Sequence, residues 1–125
     1  MSKIPASIAL TLTALFLNTP TAFAQEQTNL NRSVLLEKKL ELPSPNINAK
    51  MIRVVFPAAF KTPWHSHEGP GPRYVVKGQL KVTEGGNTNT YSAGQAFWES
   101  GELMAVENVG SDAAEVIIFE LAPVK

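Results

Sequence analysis

The chain has 125 residues, 11 basic and 11 acidic side chains, and a hydrophobic fraction of 44%. This composition is typical of an ordinary globular domain, and the lack of a basic field argues against nucleic acid or an anionic membrane as a partner. Because there is no cysteine, disulfides and thiolate chemistry are excluded, and stability must come from the core alone or from the core with a homodimer interface.

The first 24 residues have the organisation of a secretory signal peptide. Lys3 gives a weakly basic start, residues 8–17 are almost continuously apolar, and Ala22-Phe23-Ala24 is a small-x-small cleavage signal. A membrane anchor, the alternative, needs about 20 apolar residues, and Pro20 follows too soon. We therefore expect export to a periplasm or the cell exterior, with residues 1–24 removed and no membrane attachment afterwards.

Residues 25–46 are expected to form an N-terminal segment that precedes the domain proper. Val34 to Leu42 is aliphatic, and we interpret it as an edge strand because Pro43 and Pro45 leave no room for a long helix. A short helix, favoured by the charged residues 37–39, is the alternative.

From residue 47 to residue 125 the pattern predicts a single all-β domain. Short β-branched and apolar runs alternate with Gly-rich or Asn-rich turns, which is typical of a sandwich or barrel. The predicted strands are Lys50 to Phe56, Arg73 to Lys77, Gln79 to Glu84, Asn89 to Ser92, Gln95 to Glu99, Leu103 to Asn108 and Ala114 to Leu121.

The two histidines of the chain, His65 and His67, stand one residue apart. In an extended segment, residues i and i+2 point to the same face, so both imidazoles would lie together. Two imidazoles on one face are half of a transition-metal site. The alternative is a pair of solvated loop histidines.

The surrounding pattern resembles the two sequence motifs of the cupins. The first motif, G-x5-H-x-H-x(3,4)-E-x6-G, is matched at His65, His67 and Gly78, with Ala59 at its opening glycine. The second, G-x5-P-x-G-x2-H-x3-N, is matched at Gly101 and Asn108, with Gly94 one residue away from the position of its opening glycine. The chain is thus similar to a small single-domain cupin of the RmlC-like superfamily (cupin_2 type). The resemblance implies a double-stranded β-helix, or jelly-roll, barrel with a site inside it.

The departures from those motifs fall on the metal ligands that the resemblance implies. Gly71 stands where cupins have their glutamate ligand, Met104 stands where they have a third histidine, and Glu99 stands at the proline of the second motif. The resemblance therefore implies that His65 and His67 would be the two retained ligands of a divalent transition metal (Fe, Mn, Cu, Zn or Ni).

Two side chains are candidates to complete such a site. A Met104 thioether suits copper better than hard ions. Glu102 lies two residues before Met104, so in an extended segment both would point into the barrel, and His65, His67 and Glu102 would form a two-histidine, one-carboxylate set. Alternatively, Glu102 lies solvated in the turn at Ser100-Gly101.

Five further residues are candidates for contact with an organic ligand. Counting by twos from Gly71 places Arg73 on the cavity face, where its guanidinium would offer a planar fork to a carboxylate. A salt bridge from Arg73 to Glu99 or Glu102, or a bulge that reverses its direction, is the alternative. Trp64, Tyr74 and Trp98 flank the motifs, as does Phe97, and could line a pocket for a small organic molecule. The alternative is that at least half of these aromatic residues belong to the ordinary core.

Two functions remain open from the sequence. The first is an exported cupin that binds a divalent metal through His65 and His67 and oxidises or isomerises a small molecule. The second is a metal-free cupin module that binds a small anionic or apolar ligand. Neither the substrate nor the metal can be derived from these residues.

Overall fold

The structure is a computed structural model that describes residues 30–125. Seven strands follow one another, and the described residues contain no helix. The strands are β1 (Ile47–Phe56), β2 (Gly71–Lys77), β3 (Gln79–Glu84), β4 (Asn87–Ser92), β5 (Ala96–Glu99), β6 (Met104–Asn108) and β7 (Ala114–Pro123). The all-β prediction is confirmed, and each predicted strand from Lys50 onward has its counterpart.

The strands form two antiparallel sheets. One has the order β1-β7-β2-β5 and the other the order β4-β3-β6. In the larger sheet β1 pairs with β7 over ten residue pairs, from Ile47↔Pro123 to Phe56↔Ala114. The core lies on the inward faces, where β7 alternates strictly between buried and half-buried residues.

An irregular segment, residues 60–67, extends the smaller sheet alongside β6, and we call it the histidine segment. It makes isolated antiparallel bridges at Lys61↔Glu107 and His65↔Met104. The amide of His65 donates to the Met104 carbonyl at 2.9 Å, and the Met104 amide donates back to the His65 carbonyl at 2.8 Å. The histidine pair is therefore held in an extended conformation against the barrel.

Two glycine positions set the chain's path around the barrel. Gly78 joins β2 of one sheet to β3 of the other with φ of +84°, and a Cβ there would lie 2.8 Å from the Ala114 Cβ. Gly85 and Gly86 both have positive φ between the paired residues Glu84 and Asn87. This is the requirement of the tight hairpin turn that the sequence predicts.

Two expectations for the N-terminal part have different outcomes. The predicted edge strand from Val34 to Leu42 is wrong, because no residue of this stretch is in a strand. Several of its apolar side chains, including Val34 and Leu35, are exposed. The stretch therefore lacks the buried face that fixes a strand against its neighbour. The expected signal peptide lies outside the described residues. Among the described residues, no helix is long and apolar enough to cross a membrane.

Candidate functional site

A cavity of about 340 Å³ lies between the two sheets. It is near the lower end of the range for small-molecule pockets, about 300–1,000 Å³. Its wall is mainly apolar, and four ionisable or imidazole side chains enter it. The lining residues are Val54, Val55, Phe56, Pro57, Phe60, Thr62, His65, His67, Arg73, Leu80, Phe97, Glu99, Val106, Val116 and Ile118.

The two histidines line this cavity together, as their spacing predicts. Their ring centroids lie 5.1 Å apart, and the ring planes are inclined at 70°. His65 Nδ1 donates to the Pro63 carbonyl at 2.9 Å. That hydrogen bond fixes the tautomer, so in the neutral ring His65 Nε2 carries the free lone pair.

His67 is placed between two buried carboxylates. Its Nδ1 lies 3.3 Å from Glu120 Oε2, and its Nε2 lies 3.5 Å from Glu99 Oε2. The His67 side chain remains 17% exposed, whereas the side chains of Glu99 and Glu120 are 3% and 5% exposed. His67 is therefore the most accessible of these three side chains.

Arg73 points inward, and its guanidinium is already bound by the protein. Nε donates to Glu99 Oε2 at 2.9 Å, and Nη1 donates to the Phe119 carbonyl at 2.6 Å. Nη2 is buried and has no hydrogen-bond partner among the described residues. Of the structural alternatives considered from the sequence, the salt bridge to Glu99 is the one observed. We call His67, Arg73, Glu99 and Glu120 the buried charge cluster.

Burial raises the pKa of the Glu99 carboxyl above its ordinary value. The positive charge of Arg73 opposes this effect, and His67 opposes it further. Burial and the Arg73 guanidinium thus act on the pKa of Glu99 in opposite directions. Burial is the larger of these effects, so the pKa of Glu99 stays above its ordinary value.

Gly71, at the position of the cupin glutamate, allows this arrangement. A Cβ at Gly71 would overlap the Phe119 carbonyl and would lie 3.1 Å from Arg73 Nη1. The same carbonyl accepts the hydrogen bond from Arg73. The guanidinium of Arg73 therefore needs a residue without a side chain at position 71, and a glutamate cannot stand there without a shift of the backbone.

The two candidates for completing a metal site have different positions. Met104 is fully buried and points inward, as the motif register predicts. Glu102 is exposed, which agrees with its alternative placement in the turn at Ser100-Gly101 and not with an inward direction. Gly101, with φ of +94°, breaks the extended conformation between Glu99 and Met104. Alternation by twos therefore does not carry across this turn.

Three of the four aromatic candidates lie away from the cavity lining. Trp64 is 59% exposed. Tyr74 lies between the inward residues Arg73 and Val75, and Trp98 lies between Phe97 and Glu99, so both belong to the outer face of the larger sheet. The aromatic residues that do line the cavity are Phe56, Phe60 and Phe97.

Sequence reasoning missed Glu120 and assigned Glu99 only a motif position or a salt-bridge role. Both could have been found by strand alternation. Glu99 follows Phe97 by two residues in β5, and Glu120 continues the apolar series Val116 and Ile118 in β7. A carboxylate in the buried phase of a strand indicates a paired, functional or structural charge, because such groups are seldom buried alone.

The donor set does not fit the four-ligand metal site that the cupin motifs imply. Two imidazoles are present, but the glutamate and third histidine positions hold Gly71 and Met104. Both nitrogens of His67 face carboxylates. In the part of the chain that the structure describes, no three His, Cys, Asp or Glu side chains are grouped so that they could hold a metal ion.

Comparison with known proteins adds a family and several structural relatives. Residues 52–120 match the family described as Cupin domain. No curated protein shows a significant match.

Three solved structures are similar to this chain. An RmlC-like cupin with a double-stranded β-helix fold from Methanocaldococcus jannaschii has a TM-score of 0.53 and 18% identity, over 72% of this chain and 94% of that one. A cupin superfamily protein from Desulfitobacterium hafniense has a TM-score of 0.51 and 9% identity, over 74% and 99%. The cupin domain of Schizosaccharomyces pombe Cnp3 has a TM-score of 0.51 and 18% identity, over 68% of this chain and 61% of that chain, so the match spans about three fifths of its length. At these identities the likeness shows the double-stranded β-helix fold alone.

Proposed function

Because the chain belongs to the cupin domain family and folds as a double-stranded β-helix, we propose that it binds a small organic molecule inside the barrel without needing a metal ion. The observation that carries this proposal is the cavity itself, which is walled by apolar side chains and backed at one side by the buried charge cluster. An apolar wall with a few convergent polar groups is the usual constitution of a ligand pocket.

The apolar part of the ligand would lie against Phe56, Phe97 and Ile118, and its polar end would face His67. His67 can exchange hydrogen bonds with a ligand because part of its ring is open to the cavity. The two carboxylates that flank the imidazole fix its orientation. Such an orientation favours one ligand pose over others.

A matched pair of valine substitutions tests the proposal. Val54 lies half-buried on the cavity side of β1, whereas Val76 is exposed on β2 and does not line the cavity. Ligands should be sought by thermal shift and by NMR titration with a library of small aromatic and aliphatic compounds. Val54→Trp should abolish the stabilisation of every hit, and Val76→Trp should retain it. Hits that survive Val54→Trp would place the ligand elsewhere and contradict the proposal.

A divalent metal at His65 and His67 is the second candidate function. The observation in its favour is the hydrogen bond from His65 Nδ1 to the Pro63 carbonyl, since this bond leaves Nε2 free for a metal. Equilibrium dialysis of the untagged protein with Zn²⁺, Ni²⁺, Mn²⁺ and Fe²⁺ would test it. A wild-type affinity no greater than that of His65→Ala and His67→Ala would exclude this candidate.

We also propose that the chain is exported and cleaved after Ala24. The support for this proposal is the order of the basic start, the apolar run and the Ala22-Phe23-Ala24 site. Intact-mass analysis of the exported protein should give a chain that begins at Gln25. Retention of residues 1–24 would contradict it.

A further inference from the structure

We infer that the ligand of the cavity is uncharged at its polar end and carries a hydroxyl or carbonyl group rather than a carboxylate or an amine. The inference rests on the proposed function and concerns the chemical class of the ligand. The buried charge cluster satisfies its own charges, so the hydrogen-bonding groups that the cavity offers are the partly open imidazole of His67 and the free Nε2 of His65.

An anionic ligand lacks a cation that it could reach. Arg73 is the one Lys or Arg side chain among the described residues that line the cavity, and it is 1% exposed. Its Nε and Nη1 are engaged by Glu99 and the Phe119 carbonyl, and its Nη2 is buried. The guanidinium therefore serves the protein rather than the ligand.

The cluster also repels a second anion. It contains the carboxyl groups of Glu99 and Glu120 against the one guanidinium of Arg73, so with both carboxyls ionised and His67 neutral its net charge is −1. Protonation of His67 brings the sum only to zero, and both carboxylates already lie within 3.5 Å of that imidazole. A carboxylate that entered the cavity would lose its hydration without gaining a free positive partner.

A cationic ligand lacks a free carboxylate with which it could pair. The net charge of the cluster would attract it, but His67 and Arg73 contact the carboxylates of Glu99 and Glu120, whose side chains are at most 5% exposed. Glu120 does not line the cavity, and Glu99 Oε2 is engaged by Arg73 and His67. The rest of the wall is apolar apart from His65 and Thr62. An ammonium group would be desolvated without an ion pair, which disfavours it as well.

A hydroxyl or carbonyl group matches what is left. A hydroxyl both donates and accepts, so it can exchange a hydrogen bond with His67 or donate to the free Nε2 of His65. Its desolvation cost is much smaller than that of an ion, and one hydrogen bond can offset it. The side chains of Phe56, Leu80, Phe97 and Val106 provide an apolar surface for the rest of the molecule.

A series of compounds with one aromatic body and different polar ends tests the inference. The probes are naphthalene, 2-naphthol, 2-naphthoate and 2-naphthylmethylamine, titrated at pH 7.5 into ¹⁵N-labelled protein and measured by NMR. We expect 2-naphthol to bind at least tenfold more tightly than 2-naphthoate and 2-naphthylmethylamine, and more tightly than naphthalene. The preference for 2-naphthol over naphthalene should fall in His67→Phe and disappear when His65→Phe is combined with it.

A change in the charge of the cluster gives the second test. Glu120→Gln keeps the size of the side chain and removes one negative charge beside His67, so the affinity for 2-naphthoate relative to 2-naphthol should rise severalfold. Glu107→Gln is the matched control, because Glu107 pairs with Lys61 and Lys81 rather than with His67, and it should leave the ratio unchanged.

The outcomes separate the inference from the proposed function. Tighter binding of 2-naphthoate or the amine, equal binding of 2-naphthol and naphthalene, or a ratio unaffected by Glu120→Gln would overturn the inference while the cavity remains a binding site. If none of the four probes shows binding that Val54→Trp abolishes, this result would count against the proposed function itself.

Discussion

Asn108, which matches the final asparagine of the second cupin motif, has a structural role in this barrel. It is 1% exposed, and its Nδ2 lies within 3.2 Å of the carbonyls of Phe56, Pro57 and Asp112. Its Oδ1 accepts a hydrogen bond from the Gly110 amide at 2.9 Å. One amide side chain thereby joins the end of β1 to the turn before β7.

Asn108→Asp should therefore destabilise the protein strongly. The substitution keeps the shape of the side chain but replaces the donor by an oxygen that faces three carbonyls. We expect the free energy of unfolding to fall by about 3 kcal/mol or more at pH 7, because buried acceptors lose their donor and a charge is buried beside them. Urea denaturation measures this. Asn89→Asp, in an exposed position of β4, is the control and should change the value by less than about 0.5 kcal/mol. Equal effects of the two substitutions would refute the role of Asn108.

Gly71 offers the second test at a single residue. Gly71→Ala places a Cβ against the backbone carbonyl of Phe119. Because the clash is with backbone atoms, no side-chain rotation can relieve it. We expect a loss of about 1–3 kcal/mol in the free energy of unfolding. Gly110→Ala is the control, since a Cβ there would meet its nearest atom at 3.4 Å, an ordinary contact. A stable Gly71→Ala variant would show that β2 and β7 are less closely packed at this point than the structure has them.

At the scale of strands and turns, the sequence predicted the fold better than the site. The strands from Lys50 onward were predictable because each has alternating β-branched and apolar residues between Gly or Asn turns. The inward direction of Arg73 followed from the same alternation. The direction of Glu102 did not, because Gly101 interrupts the extended chain before it.

The buried charge cluster could be predicted only in part. Alternation in β5 and β7 places Glu99 and Glu120 on the inward faces, but their approach to one imidazole depends on where the histidine segment crosses β6. That crossing is a tertiary contact between residues about 40 positions apart, and no local pattern encodes it.

The predicted strand at Val34 to Leu42 failed for a related reason. Strand propensity is realised only where a partner edge and a buried face are available.

Glu107 connects the histidine segment to the smaller sheet through ion pairs, which gives a pH-dependent prediction. Its carboxylate lies 3.2 Å from Lys81 Nζ on β3 and 3.7 Å from Lys61 Nζ on the histidine segment. The ion pair with Lys81 chiefly, aided by Lys61, lowers the pKa of Glu107. A carboxyl whose pKa is lower in the folded chain stabilises the fold above its unfolded pKa, and this contribution is lost as the pH falls through the folded pKa.

Thermal unfolding of the wild type and Glu107→Gln at several pH values checks this. The wild type should be the more stable at pH 7, and the difference should close as the pH falls below about 4, where carboxyls in the unfolded chain are protonated. The effect should be small and should shrink at high salt, because the pairs are partly exposed. A difference that persists at pH 2 would mean that Glu107 acts through packing instead.

For the whole chain, the contrast between the barrel and the residues before it predicts where proteases cut. Within the described residues, the backbone of positions 34–43 makes no hydrogen bond with other backbone groups, whereas β1 pairs with β7 along its entire length. Arg32, Lys38 and Lys39 are exposed, and Lys50 and Arg53 lie within β1. A protease must bind an extended, unpaired stretch of backbone, so the irregular stretch should be cleaved long before the sheet opens.

Limited trypsin digestion should accordingly give a lasting fragment that begins at Leu40, identified by mass spectrometry, after first cuts at Arg32, Lys38 and Lys39. Every residue that lines the cavity lies after position 53, so this fragment should keep the ligand-induced stabilisation of the full chain. Lys38→Gln with Lys39→Gln should move the fragment's start to residue 33 without changing its lifetime. First cuts at Lys50 or Arg53 would show that β1 separates from β7 readily. In that case the cavity, which β1 closes with Val54 and Phe56, would be open to solvent for part of the time.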